Sequence, residues 1–212
     1  MKSNQQSQTV AIDRSVYDEA ASITNEYVAK LGLTEELVRF ISKDKNEPEW
    51  MLQKRLQGLK LFQATKIPTW GPDLSKLNLD NITYYVKPGM KEATKWEDVP
   101  EEIRRTAEKL GIPEAEKTAL GGAGYQMDSN MAYHHLMQEL KDQGVVFENM
   151  DVAVQQYPEL VKKYFMTSCI PVNDHKFIML HASVWSGGTF IYIPEGVKVK
   201  IPLQAYFRMN AL

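Results

Sequence analysis

The sequence predicts an α+β chain in which an N-terminal helical domain leads into the first rungs of a β-solenoid. Two observations carry that prediction. Up to residue 167, apolar residues recur at steps of three and four, the spacing that lays one stripe along a helix. After residue 168 they alternate with polar residues in short runs divided by SGG, PEG and Pro202, as stacked short strands require. The expected division is a polar tail at 1–12, a helical domain with short strands at 13–167, and the start of a β core at 168–212.

Taken in order, Val16, Ala20, Ile23, Tyr27 and Leu31 predict an amphipathic helix from Asp13, stopped by Gly32 in a left-handed cap. Thr34 suits the N-cap of a second helix carrying Leu37, Val38 and Ile41. Pro48 fits the first turn of a third, whose buried face would be Leu52, Leu56, Leu59 and Phe62. Pro68, Gly71 and Pro72 break the helical pattern, with Trp70 expected to anchor the loop by its apolar area. ITYYVK at 82–87 reads as a strand. Asp98, Pro100 and the stripe Val99, Ile103, Ala107, Leu110 signal another helix, ending at Gly111 and Pro113. Residues 128–143 repeat that grammar, with Leu136, Met137 and Leu140 inside and Gly144 at the end. PELVKKYF at 158–165 is expected to be the last helix. KFIMLHASVW, TFIYI, VKVKI and LQAYFR are then the strands of the β core.

The chain has 212 residues, 43% of them hydrophobic and 25% charged, enough for a core without covalent staples. Lys and Arg total 25 against 27 Asp and Glu, so there is no basic excess of the kind that binds nucleic acid. Cys169, the single cysteine, excludes an intramolecular disulfide and a closed thiolate-rich zinc site. The start MKSNQQSQTV lacks an apolar stretch and no long apolar run follows, so neither a signal peptide nor a membrane span is expected, and a reducing cytoplasmic setting is.

Candidate chemistry is sparse. His134 and His135 fall side by side on the helix expected at 128–143, pointing about 100° apart, so they cannot easily share a metal. Glu139, four residues after His135, reads as a surface contact, and the two histidines read as packing residues. Cys169 and His175 lie near the domain boundary, where a thiol and an imidazole could bind metal or accept sulfur; the simpler reading of Cys169 is a small buried hydrophobe. GGAG at 121–124 and SGG at 186–188 lack the pattern of a phosphate-binding loop and read as turns. The aromatic residues do not interleave with a basic stripe. An enzymatic reading reduces to a small metal-dependent β-fold enzyme using His134, His175 or His181.

Longer motifs say more. KNEPEWMLQKRL at 45–56, PTWGPDLS at 68–75, ITYYVKP at 82–88, WEDVPEEI at 96–103, LGIPEAEK at 110–117, PELVKKYF at 158–165 and VWSGGTFIYIPEGVKVKIPLQAYFRMN at 184–210 resemble, in order, the N-terminal portion of SufB. SufB proteins are the iron–sulfur cluster assembly scaffold subunits of the Suf system. The resemblance runs from about Leu33 to the last residue. It implies a right-handed parallel β-helix after the helical domain, and partnership with SufD-like subunits, a SufC-like ATPase, a sulfur-donating desulfurase system and apo-protein acceptors. It implies a scaffold, not an enzyme. The cysteine and the His/Glu group that the family associates with cluster formation lie beyond the part resembled, so no catalytic, cofactor-binding or metal residue is carried over. Cys169, His175 and His181 receive no cluster role. A cluster needs about four ligands, mostly thiolates, so this chain alone is expected to hold none stably. The alternative is a truncated interaction or regulatory module that binds Suf partners without assembling a cluster. Ending at Leu212 leaves an open β edge, which implies a piece of a longer protein or pairing with another polypeptide, self-association included.

Overall fold

The computed structural model describes residues 24–93, 95–109 and 120–209. Strand β1 (Asn25–Val28) pairs antiparallel with β2 (Val86–Pro88), Val28 lying opposite Val86. The helix expected from Asp13 to Leu31 is corrected where it is described: 25–28 is extended, while 13–23 lie outside the described residues. Tyr27 and Leu31 satisfy a helical stripe, but Tyr27 and Val28 are equally good strand formers, and their partners decide. Tyr27 stacks on Phe40 at 4.2 Å and the chain pairs with β2. Gly32 does adopt the positive φ of +86° expected of a stop, beside a bridge between Leu31 and Thr83. The strand expected at 82–87 shrinks to that bridge and β2.

Helix α1 (Glu35–Asp44) forms as its local signals require: Thr34 Oγ1 accepts the Leu37 N–H at 3.2 Å, and Leu37, Val38 and Ile41 are buried. Helix α2 (Glu49–Ala64) follows Pro48, but its buried face is Met51, Arg55, Gly58, Leu59 and Phe62, with Leu52 and Leu56 only half-buried. The face turns because α2 packs on α7 (Lys176–Val184), built from the segment KFIMLHAS that the sequence assigned to a strand. A short apolar run fits either element. Here the His175 ring accepts the Phe177 N–H at 3.2 Å as an N-cap, and Met179, Ala182 and Ser183 bury one helical face. The expectation that no helix follows residue 165 is thereby corrected. Helix α3 (Glu101–Lys109) buries Ile103 and Ala107 as expected, with Val99 buried just before it; Leu110, Gly111 and Pro113 lie outside the described residues.

The largest sheet has the order β4-β3-β7, from β3 (Gly122–Met127), β4 (Asn130–Leu136) and β7 (Leu203–Arg208). β3 and β4 form a hairpin turning at Asp128 and Ser129, with Asp128 at φ 47°. β3 and β7 run parallel, from Gly122 opposite Leu203 to Met127 opposite Arg208. The helix expected at 128–143 is therefore strand up to Leu136, and only α4 (Gln138–Asp142) is helical before Gly144. GGAG is not a turn but the entry to the central strand. Its glycines make room: a Cβ on Gly122 would stand 3.1 Å from both the His135 carbonyl and Leu203 Cδ2. A second sheet pairs β5 (Val146–Asn149) with β6 (Thr189–Tyr192), and α5 (Met150–Gln156) and α6 (Pro158–Tyr164) lie between them in the chain.

Strands β6 and β7 and helix α6 match expectation. VKVKI forms no strand, although its alternation survives as burial, with Val197 and Val199 packed on the cluster of Leu136, Leu140, Val145 and Phe147. Trp70 is 70% exposed and so does not bury into an anchor. SGG joins α7 to β6 rather than two strands. The pairs β3–β7 and β5–β6 and the packing of α2 on α7 all span the boundary expected at residue 168.

Polar hubs tie these pieces together. Lys45, at the end of α1, donates to the Ser129 carbonyl at 2.9 Å, Asn130 Oδ1 at 2.8 Å and Asp151 Oδ2 at 2.7 Å. Asp44 accepts from the Tyr85 hydroxyl at 2.7 Å and from Lys87 at 2.8 Å. Burial pushes the Asp44 carboxyl up, but hydrogen bonds from Lys87 and Tyr85 and the charges of Lys87 and Lys45 outweigh it, leaving it below its ordinary 3.8. A carboxylate depressed by folding adds stability above its unfolded pKa and loses it as pH falls through the folded value. Urea midpoints measured down the acid limb should thus fall below about pH 4 in the wild-type chain. D44N should flatten part of that fall; an unchanged acid limb would remove Asp44 from the account.

Candidate functional site

The bridge between Ala93 and Tyr133 fastens the loop after β2 to β4: the Ala93 N–H donates to the Ala132 carbonyl at 2.9 Å, and His134 N–H to the Ala93 carbonyl at 3.2 Å. Glu92 is thereby held beside His134. On the other side, β5 brings Glu148, and the Glu148 carboxylate lies 3.5 Å from His134 Nδ1. Ligand-capable atoms of Glu92, His134 and Glu148 all lie within 4.8 Å of one another. They line a concavity of about 810 Å³ with His135, Lys141 and Tyr157.

Each member is held from behind. Asn149 donates its backbone N–H to Glu148 Oε1 and its side-chain amide to Glu92 Oε2, both at 2.9 Å. His134 hydrogen-bonds through Nε2 to the Phe147 carbonyl and stacks on the Phe147 ring. Burial pushes the Glu92 carboxyl up, against the Asn149 hydrogen bond and the positive charge His134 carries when its ring is protonated, both of which favour the charged form. Successive residues of β4 alternate across the strand, yet His135 as well as His134 lines the concavity. Burial lowers the His135 pKa, with the charges of Lys141 and His134 adding to the effect.

A second cavity, of about 720 Å³, opens between α6, α7, β2 and the end of β7, and its walls include Tyr84, Gln126, His181, Trp185 and Phe190. Gln126 shapes its floor by accepting the Gly188 N–H at 2.6 Å and donating to the Ser186 carbonyl at 3.0 Å. The low-polarity wall lowers the His181 pKa, with Arg55 adding its positive charge.

The residues singled out in the sequence fare differently. Cys169 is exposed in the loop after α6, which corrects its reading as a buried hydrophobe. His175 caps α7 and meets the edge of Trp70 at 5.2 Å. Among the described residues, Cys169, His175 and His181 join no group able to hold a metal, whereas His134 does. Glu139 is exposed on α4 and outside that group. Glu92 and Glu148 carried no sequence signal, since only the tertiary fold brings them to His134.

Most of both cavities is built by the stretch from β3 to β7. Residues 121–205 match the SufBD protein N-terminal region. Across 195 residues, 92% of this chain, the sequence is 51% identical to a protein of Staphylococcus aureus (strain USA300) named as an iron–sulfur cluster assembly SufBD family protein. A protein of the same family name from Staphylococcus haemolyticus (strain JCSC1435) is 51% identical over the same length. The chain spans 41% of the length of these relatives. The motif resemblance to the Suf system is thus supported at the level of the SufBD region. That region contains His134, Glu148, Gln126, His181 and Trp185; Glu92 and Arg55 lie outside it. Among the described residues no helix is long and apolar enough to cross a membrane.

Proposed function

We propose that this chain is the N-terminal part of a SufB-type scaffold, taking part in cytoplasmic iron–sulfur cluster assembly through contacts with SufD-like and SufC-like subunits rather than through catalysis. The observation that carries the reading is the 51% identity to SufBD family proteins over 195 residues. The cluster is cargo here: with Cys169 as its single thiolate, the chain by itself holds none. Two features favour a parallel β-helix as the architecture it begins. β3 and β7 run parallel in unbroken register over six residue pairs, as neighbouring coils of such a helix do. Ile191, Ile193, Phe207 and Met209 are exposed on β6, β7 and the residues after them, an apolar surface suited to a following coil. The same exposed residues favour the second reading, an interaction module whose apolar edge docks a Suf partner.

The test is anaerobic. The tagged chain is mixed with purified SufC-like, SufD-like and desulfurase proteins, and separately reconstituted alone with iron and sulfide. Retention of at least one partner, with no stable visible absorption from the chain alone, is expected. Stoichiometric cluster on the isolated chain, or failure to retain any of the three, would overturn the proposal. A complex that forms but never acquires cluster would select the interaction module.

A further inference from the structure

We infer that Glu92, His134 and Glu148 form a binding site for a divalent first-row transition cation. The inference stands on geometry and is independent of the family reading. A carbonyl oxygen can only accept a hydrogen bond, so the contact between His134 Nε2 and the Phe147 carbonyl places the ring proton on Nε2. In the neutral ring Nδ1 then carries a lone pair, and that lone pair faces the Glu148 carboxylate at 3.5 Å with Glu92 close by. Three acceptors turned toward one another repel unless a cation sits among them. The backing of an imidazole N–H by a backbone carbonyl is also the arrangement that orients metal-bound histidines.

The dimensions fit. Two ligands each about 2.1 Å from a metal stand up to about 4.2 Å apart, so atoms already within 4.8 Å need only small side-chain rotations to close on an ion. Asn149 holds Glu92 Oε2 and Glu148 Oε1, the latter being the oxygen that faces His134 Nδ1, and each carboxylate oxygen keeps a further lone pair for a metal. One imidazole with two carboxylates suits Mn²⁺, Fe²⁺ or Zn²⁺ and contains no thiolate to favour a softer ion. Side-chain exposures of 13% for His134 and 25% for Glu148, with Glu92 more open, leave positions toward the concavity for water.

The full chain, stripped with a chelator and exchanged into metal-free buffer, is titrated with Mn²⁺ while the free-ion electron paramagnetic resonance signal is followed. Fe²⁺ and Zn²⁺ are measured by equilibrium dialysis under anaerobic conditions. One equivalent per chain is expected, together with a rise in thermal midpoint. E92Q and E148Q should each weaken binding at least about tenfold, as loss of support at metal sites does. E139Q, at an exposed carboxylate outside the group, should leave it unchanged. E92Q changes a loop residue, so a fold-competent variant is available even where E148Q proves unstable. No stoichiometric uptake of any of the three ions, or uptake indifferent to E92Q, would overturn the inference.

Discussion

Replacing Arg55 with alanine is expected to destabilise the folded chain by about 3–5 kcal/mol, because it leaves a buried carboxylate without its partner. The Arg55 and Glu47 side chains are 0% and 1% exposed. Their pairing is bidentate, with Arg55 Nε 2.7 Å from Glu47 Oε2 and a terminal nitrogen 2.6 Å from Oε1. The remaining donors reach the Ser183 carbonyl at 3.1 Å and the Trp185 carbonyl at 2.8 Å, and the guanidinium lies 4.5 Å from the centre of the Trp185 ring. One side chain of α2 thus satisfies the carbonyl end of α7 and the start of the loop that floors the cavity of about 720 Å³. Lysine cannot replace it, since a single ammonium cannot face a carboxylate edge-on and reach two divergent carbonyls. Urea denaturation measures the effect. The double variant R55M/E47L should be more stable than R55A, since it removes both charges together and fills the space. Equal loss in the two would mean that the carbonyl contacts, not the ion pair, dominate.

The contrast between what was and was not legible in the sequence follows the range of the deciding contacts. Thr34 caps α1 with a hydrogen bond three residues away, and Val99, Ile103 and Ala107 share a face through spacing alone, so both helices could be read directly. Residues 25–28, 130–136 and 176–184 were misread because each is short and apolar enough for either period. Their fate was set by Val86, Tyr125 and Gly58, which lie far away in the chain or across a hairpin. GGAG misled for a related reason: glycine is a poor strand former locally but is required where the His135 carbonyl and Leu203 crowd the backbone. The candidate cation site suffers most. Placed on a helix, His134 and His135 diverge on one surface; placed on strand β4, beside β5 and the loop after β2, His134 meets a carboxylate from each. Asn149, which positions both carboxylates, follows Glu148 directly in the chain, yet that adjacency gives no hint of Glu92.

Gly58→Ala is expected to destabilise the chain by about 1–3 kcal/mol, against the usual rule for a helix interior. Alanine is ordinarily favoured over glycine there by about 1 kcal/mol, and Gly58 sits in the third turn of α2, where that gain should appear. The packing of α7 reverses it. A Cβ at this position would stand 2.8 Å from Ala182 Cβ, 2.9 Å from the Met179 carbonyl and 3.1 Å from Ser183 Oγ. Two of those three atoms are a backbone oxygen and a Cβ, neither of which can swing aside, so the helices themselves must separate. Valine should cost more. The variant A182G should recover part of the loss, because it removes one obstruction and leaves the Met179 carbonyl. The displacement also reaches Arg55: Ser183 and Trp185, whose carbonyls it binds, sit at the end of the helix that Gly58 lets approach. Moving α7 outward stretches those hydrogen bonds, so G58A already spends part of what R55M removes. Denaturation midpoints for G58A, R55M and the double variant should therefore show a combined loss smaller than the sum of the single losses. Strict additivity would mean that α7 absorbs the added methyl without shifting its carbonyl end, and a more stable G58A would mean that the close approach itself is wrong.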